Sequence, residues 1–217
     1  MVGMPRQQAS MAARVNMMVM RDHFPLKLVL ASASPRRREL LEAAGIEFEV
    51  RVPAVEEVRR VGEAPADYVV RLACEKAMAV DAADDEVVLG ADTTVVLGDA
   101  VLEKPRDRAD ARRMLALLSG REHLAMTGIC LRRGESCVSA VETTLVHFGA
   151  VSAAEIEAYV ATGESMDKAG AYAIQGIASR WINRIDGCYS NVVGLPVSLV
   201  WHHLRSMAED EIRLSLE

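Results

Sequence analysis

The apolar positions of the chain follow two rhythms. Leu28, Val29 and Leu30 form a short continuous run, and residues 87–91 form another, as expected of strands buried on both faces. Residues 46–52 alternate instead. Ile46, Phe48, Val50 and Val52 point one way and Glu47, Glu49 and Arg51 the other, which predicts a half-buried strand. Helical spacing takes over at Leu40, Leu41 and Ala44, with Ser34 at the N-cap, Pro35 at the first helical position and Gly45 just past the end. Further helices are predicted from Pro65 to about Val80, over 108–118 up to Ser119-Gly120, from a Ser152/Glu155 capping box to Gly163, and from near Pro196. Residues 86–102 read as a buried strand, a polar interruption at Asp92-Thr93-Thr94, and a second strand turning at Gly98-Asp99. Residues 121–148 read as a strand pair around Arg133-Gly134-Glu135, and 181–185 as one more short strand. Helices and strands interleave irregularly, so the expected class is α/β with a mixed sheet.

Composition narrows this picture. At 217 residues and 51% hydrophobic, the chain can bury a sizeable core; with only 4% aromatics, Val, Leu, Ala and Met must fill it. We expect a single domain over 25–217, preceded by a disordered extension over 1–24 that has no acidic residue before Asp22. Met17, Met18 or Met20 would then be the true start. A net charge of −6 argues against a general nucleic-acid coat or an anionic membrane surface, and no apolar stretch reaches membrane-spanning length. Cys74, Cys130, Cys137 and Cys188 are far apart with no CxxC pair, which reads as reduced thiols of a cytoplasmic protein and not as a disulfide frame or zinc site.

Charge placement brings in chemistry. Arg36, Arg37 and Arg38 crowd the start of the first helix, where cations oppose the dipole at a cost of a few tenths of a kcal/mol. They suit either a solvated face or a bound anion, since the helix start also aims unpaired N–H groups at one point. Lys76 shares a helical face with Val69, Leu72 and Ala73, where by itself it reads as a snorkelling lysine whose stem covers the core edge. Asp92 follows the buried run 87–91, and a carboxylate there needs a cation or a metal. Glu56 and Glu57 offer carboxylates in a loop, and "DKAGAYAIQG" and "GCYSNVVGLP" are Gly-rich loops suited to binding. Carboxylates that hold Mg²⁺, with Arg and Lys neutralising phosphate, are the parts of a nucleotide phosphohydrolase. There is neither a GxxxxGK[ST] loop nor a GxGxxG turn.

In order, "LASASPRRRELLEAAGI", "EKA", "GADTTVVL", "EKP", "LSG", "DKAGAYAIQG" and "NVVGLP" resemble the Maf family of nucleoside triphosphate pyrophosphatases over roughly residues 26–205. The resemblance implies an ITPase-like (Maf/HAM) fold, with a long twisted mixed sheet and a cleft between two lobes. It also implies a divalent metal (Mg²⁺ or Mn²⁺), a homodimer, and hydrolysis of a nucleoside triphosphate to monophosphate and pyrophosphate. By motif, Asp92 matches the family's proton acceptor, while Arg36, Thr93 and Gln175 match the positions tied to substrate choice. Lys76 and Lys104 match basic phosphate-side residues, joined by Ser34 and Arg36 in the Ser-Pro-Arg turn. Glu57, with Asp92, matches the acidic metal side. Lys168 and Asn191 are candidates in the substrate loops. Two departures stand out: Glu56 replaces the commoner Asp of the acidic pair, and Cys188 a commoner Ser. This alignment points Arg36 inward and leaves Arg37 and Arg38 facing solvent.

Lys168 and Gln175 resemble the dTTP/UTP subgroup and not the 7-methyl-GTP one. A glutamine amide matches the adjoining acceptor and donor of a pyrimidine edge, whereas a methylated guanine favours a carboxylate. The alternatives are a 7-methyl-GTP pyrophosphatase and a non-catalytic nucleotide-binding regulator of septum formation.

Overall fold

Strand β3 (Glu86–Leu97) organises the molecule. The computed structural model describes residues 26–214, with side chains to residue 209; the predicted extension lies outside the described residues. On one edge, β3 pairs antiparallel with β5 (Glu122–Arg133) from Val88↔Arg132 to Val96↔Leu124 without a break. On the other edge it pairs first with β1 (Lys27–Ala31), in parallel, and then with β4 (Ala100–Leu102), antiparallel. The β1 pairing ends at Gly90 and the β4 pairing begins at Val95, so the stretch between them has an open edge. The polar interruption therefore does not divide the strand, as the sequence suggested. Ladder hydrogen bonds use backbone groups, and β5 supplies them throughout.

The sheet runs β2-β1-β3-β5-β6-β7, with β4 attached to β3; β6 is Ser136–Phe148 and β7 is Ile182–Asp186. The alternating segment 46–52 yields only β2 (Glu49–Val50), parallel to β1. Val50 and Val52, expected inward, are 39% and 65% exposed. At this edge the chain leaves the sheet at Arg51, whose guanidinium hydrogen-bonds Glu86 at 2.6 and 2.7 Å, and Pro53 offers no N–H to extend the ladder.

Helix α1 (Pro35–Ala43) follows β1, and α2 (Pro65–Met78) lies across one face of the sheet. Gly90 and Gly128 let α2 approach: a Cβ at either would overlap the backbone of Ala73 or of Val69. Beneath α2 sit Val29, Ala31, Val88 and Cys130. Pairing of β5 with β6 brings distant cysteines together here. Cys130 is buried here with Cys74 packed against the same cluster, burial raises its thiol pKa, and the four cysteines are free.

The opposite face carries two clusters. One joins Leu28, Leu30, Leu41, Leu89 and Ile129 to α6 (Val197–Leu214). The other joins Val95, Phe148 and Trp181 to α3 (Arg108–Leu118) and α4 (Ala153–Ala161), whose Ser152/Glu155 capping box forms as expected. Residues 92–94 of β3 lie between the segments that feed these clusters. The loop over 164–179 contains two short 3₁₀ turns, and residues 189–193, read as loop, form α5 (Tyr189–Val193). No helix among the described residues is long and apolar enough to cross a membrane.

Candidate active site

The open edge of β3 faces a cavity of about 540 Å³, within the range of small-molecule sites. Its walls come from the end of β1 and the start of α1, from the loop before α2, from the segment after β4, and from the 167–175 loop. Location at the carboxyl end of a parallel strand agrees with the general placement of ligand crevices in α/β sheets.

Lys76 is the centre of its charge network. It lies on the buried face of α2 with Val69, Leu72 and Ala73, as the helical spacing required. Its Nζ is 2.6 Å from Asp92 Oδ1 and 2.6 Å from Glu57 Oε1. Glu57 Oε2 accepts from Lys104 at 3.2 Å. Burial pushes the Asp92 carboxyl above its usual range, against the pull of Lys76 and Arg37. Burial also works on Glu57, but there the hydrogen bonds and charges of Lys76 and Lys104 prevail and hold the carboxyl near 2. Two carboxylates on one ammonium thus differ in proton affinity, the raised one being suited to accept a proton. Beside them Tyr68 donates its hydroxyl to Glu103, a partnership the sequence reading missed.

At the start of α1, Ser34 occupies the N-cap position but makes no side-chain cap bond. Arg36 reaches across the cavity to Asp167, donating to Oδ2 at 2.8 Å and to the backbone oxygen at 3.1 Å. Arg37 does not face solvent. It is buried, donating to Gly194 O at 2.9 Å, Ser32 Oγ at 3.0 Å and Thr93 Oγ1 at 3.2 Å. A signal was present, because Arg37 stands one turn before Leu41, the buried leucine of the same helix. Arg38 is exposed, as expected.

The loop "DKAGAYAIQG" forms the far wall. Lys168 lines it with its ammonium spoken for, bonded to Glu164 O at 2.6 Å and to Asp167. Gln175 is exposed on the cavity, and its amide has no hydrogen-bond partner among the described residues. Beneath the loop, Tyr172 hydrogen-bonds His123 Nε2 at 2.8 Å. Burial holds that imidazole near pKa 4, hence neutral at pH 7.

Ser34, Arg36, Glu57, Lys76, Asp92, Thr93, Lys104, Lys168 and Gln175 thus share one cavity, although they lie up to 141 positions apart in the sequence. Asn191 does not join them. It is wholly buried in α5, and its amide donates at 2.9 Å to both Ala125 O and Thr144 Oγ1, bracing the sheet and not facing the cleft. Glu56 is exposed and outside the cavity.

Among the described residues no cluster of three or more His, Cys, Asp or Glu could hold a metal. The two carboxylates at Lys76 nevertheless fit a hard cation completed by phosphate and water, because Mg²⁺ commonly takes only one or two from the protein. Asp92 Oδ2 has no protein hydrogen bond among the described residues.

The crevice sets ammonium and guanidinium groups around a buried carboxylate, with the Gln175 amide on the opposite wall, chemistry suited to a phosphorylated small molecule. The chain belongs to the Maf family: the model for Maf-like proteins matches residues 27–207. Its relatives include the dTTP/UTP pyrophosphatase of Sphingopyxis alaskensis, 56% identical over 173 residues that cover 78% of this chain and 90% of that one. The dTTP/UTP pyrophosphatase of Koribacter versatilis is 49% identical over 188 residues, covering 86% and 97%. Among solved structures, a nucleoside-triphosphatase / dITP/XTP pyrophosphatase from Mycobacterium abscessus is similar at 17% identity and a TM-score of 0.41, covering 85% of this chain and 98% of that one. A HAM1 protein from Coxiella burnetii gives 17% identity and a TM-score of 0.37, covering 57% and 73%.

Proposed function

We propose that this protein is a pyrophosphatase that hydrolyses dTTP and UTP to the monophosphate and pyrophosphate, with Mg²⁺ or Mn²⁺, as a cytoplasmic homodimer. The observation that carries the chemistry is the buried Asp92 bonded to Lys76 at 2.6 Å inside the cavity. The names of relatives at 49–56% identity support the choice of substrate.

In this reading the triphosphate lies along Lys76, Lys104, Arg36 and the Ser34 hydroxyl, and the base meets Gln175. Asp92, its proton affinity raised by burial, takes the proton of a water as that water attacks the α-phosphorus. The bond to the α–β bridging oxygen breaks, and pyrophosphate leaves with its charge offset by the lysines and Arg36. Arg36 must exchange Asp167 for phosphate, which a salt bridge on a 60% exposed carboxylate permits. Glu57 and Asp92 would hold the divalent ion, which supplies neutralisation of phosphate charge. Incubating the protein with dTTP, UTP, dATP, GTP and 7-methyl-GTP and Mg²⁺ tests the reading. Pyrophosphate should appear fastest from dTTP and UTP; release of orthophosphate alone, or no turnover of any of them, would overturn it.

Base choice is tested at Gln175. An amide can donate to the O4 oxygen of a pyrimidine, whereas an ionised carboxylate repels it. Leaving that acceptor unpaired costs about 1–3 kcal/mol, so Gln175→Glu should lower kcat/KM for dTTP and UTP by about one to two decades. Melting curves should stay unchanged, because the side chain is exposed. Equal kcat/KM in the two proteins would show that Gln175 does not read the base.

A further inference from the structure

Behind the cavity wall lies a carboxylate that the reaction does not use. Glu164 follows α4 and does not line the cavity. Both of its oxygens accept from the backbone N–H of Ile177, at 3.0 and 3.3 Å. Its Oε1 also accepts from the Tyr159 hydroxyl at 3.0 Å, and that hydroxyl in turn accepts from Ala173 N–H at 3.3 Å. Burial, reinforced by Glu164, raises the Tyr159 pKa, so this hydroxyl stays a donor to Glu164 at any ordinary pH.

These bonds fall on both sides of one short turn. Gly176 N donates to Ala173 O at 3.1 Å, closing a four-residue turn with Ile174 and Gln175 at its centre. One carboxylate therefore grips the strand of chain entering the turn, through Tyr159, and the strand leaving it, directly. Gly176 has no side chain where the carboxylate lies; a Cβ there would overlap it. Glu164 also lends its backbone oxygen to Lys168, at 2.6 Å, which anchors the other end of the loop. The Gln175 side chain has no hydrogen bond among the described residues, so the backbone of this turn sets where its amide points.

We infer that Glu164, with Tyr159, is a positioning residue for base recognition: it fixes the 173–176 turn so that the Gln175 amide is presented to the nucleobase. The inference rests on the nucleotide reading of the cavity, and it concerns the base end alone. Loss of Glu164 should therefore weaken recognition of the base and spare that of the phosphates.

The probes are the α,β-methylene analogue of dTTP, which cannot be split at that bond, and inorganic tripolyphosphate, which has no base. Binding of each is measured by calorimetry with Mg²⁺ on the full chain. Glu164→Ala should bind the dTTP analogue about tenfold more weakly, the scale of losing one well-placed hydrogen bond, and tripolyphosphate within about twofold of wild type. Glu164→Gln, which keeps an acceptor for Ile177, should recover most of the loss. With dTTP as substrate, the Glu164→Ala effect should fall on KM and leave kcat within about twofold. Gly176→Ala, whose methyl must displace the carboxylate, should behave like Glu164→Ala. Tyr159→Phe, which removes the hydroxyl joining Glu164 to Ala173 but leaves Glu164 bonded to Ile177, should show a smaller change of the same kind, and these two variants decide the matter if Glu164→Ala does not fold. Wild-type affinity for the dTTP analogue in the variants, or an equal loss for both probes, would overturn the inference and leave the nucleotide reading standing. A wild-type protein that binds the dTTP analogue no better than tripolyphosphate would overturn base recognition itself, and this inference with it.

Discussion

Asp92→Asn should lower dTTP turnover by about two to four orders of magnitude, the scale of losing a general base. The amide keeps the carboxylate's shape and can still accept from Lys76, but it cannot take a proton from water. The fold should survive, because Lys76 retains Glu57 as a charge partner at 2.6 Å. The pH dependence is specific. Burial raises the Asp92 carboxyl above 3.8, so the folded protein binds this proton more tightly than the unfolded chain does. Stability from this group is present below the unfolded pKa and is lost as pH rises through the folded one. In the Asn variant that decline disappears, and melting temperatures above the window should equal or exceed those of wild type. Wild-type turnover should itself rise with pH as Asp92 ionises. Pyrophosphate release and melting curves between pH 4 and pH 8 measure both. Turnover near the wild-type value in the variant would remove Asp92 from the mechanism.

Lys76→Met should be the most damaging single change at the site. Methionine fills much of the space of the lysine stem beside Val69, Leu72 and Ala73, so little packing is lost. What goes is the cation between two carboxylates. Removing one partner of a buried pair costs about 3–5 kcal/mol, which for a domain of this size lowers the melting temperature by about 10 °C. Turnover should be abolished as well, since in the proposed reading Lys76 is the innermost ammonium for the phosphates. The deficit depends on pH. Glu57, held near 2 by Lys76 and Lys104, contributes stability that is present above its unfolded value near 4.5 and lost as pH falls toward 2. Without Lys76 much of that contribution is gone, and Asp92 gains a proton still more readily. The variant should therefore fall furthest below wild type at pH 8 and come closer at pH 3, inside the window over which Glu57 loses its contribution. Equal deficits at the two values would mean that Lys76 acts through packing and not through charge.

Several features were legible in the chain because they are local. The Ser152/Glu155 capping box spans three residues and forms as read. The face of α2 that carries Lys76 follows from spacings of three, four and seven. Features that depend on distant partners were read less well. The strand predicted over 46–52 lacks a second neighbour and shrinks to two residues at the sheet edge. Asn191, in a Gly-rich segment that resembled a binding loop, is enclosed by β5 and β6. Arg37 was assigned to solvent beside two other arginines, yet its three acceptors come from residues 32, 93 and 194.

The sequence by itself determined most of the helices and the central strands, and which charged and polar residue types the chain offers to a site. Periodicity, capping and turn chemistry act over a few residues, and the chain carries them wherever it goes. Only the tertiary structure decided that β3 runs unbroken along β5 while its other edge passes from β1 to β4 and leaves a gap for the cavity. It alone decided that Arg37 is buried against Ser32, Thr93 and Gly194, and that Glu164 holds the Gln175 turn from behind. The physical reason is that a charge can be buried only where a partner meets it, and the partners of Arg37 include Gly194, 157 positions away.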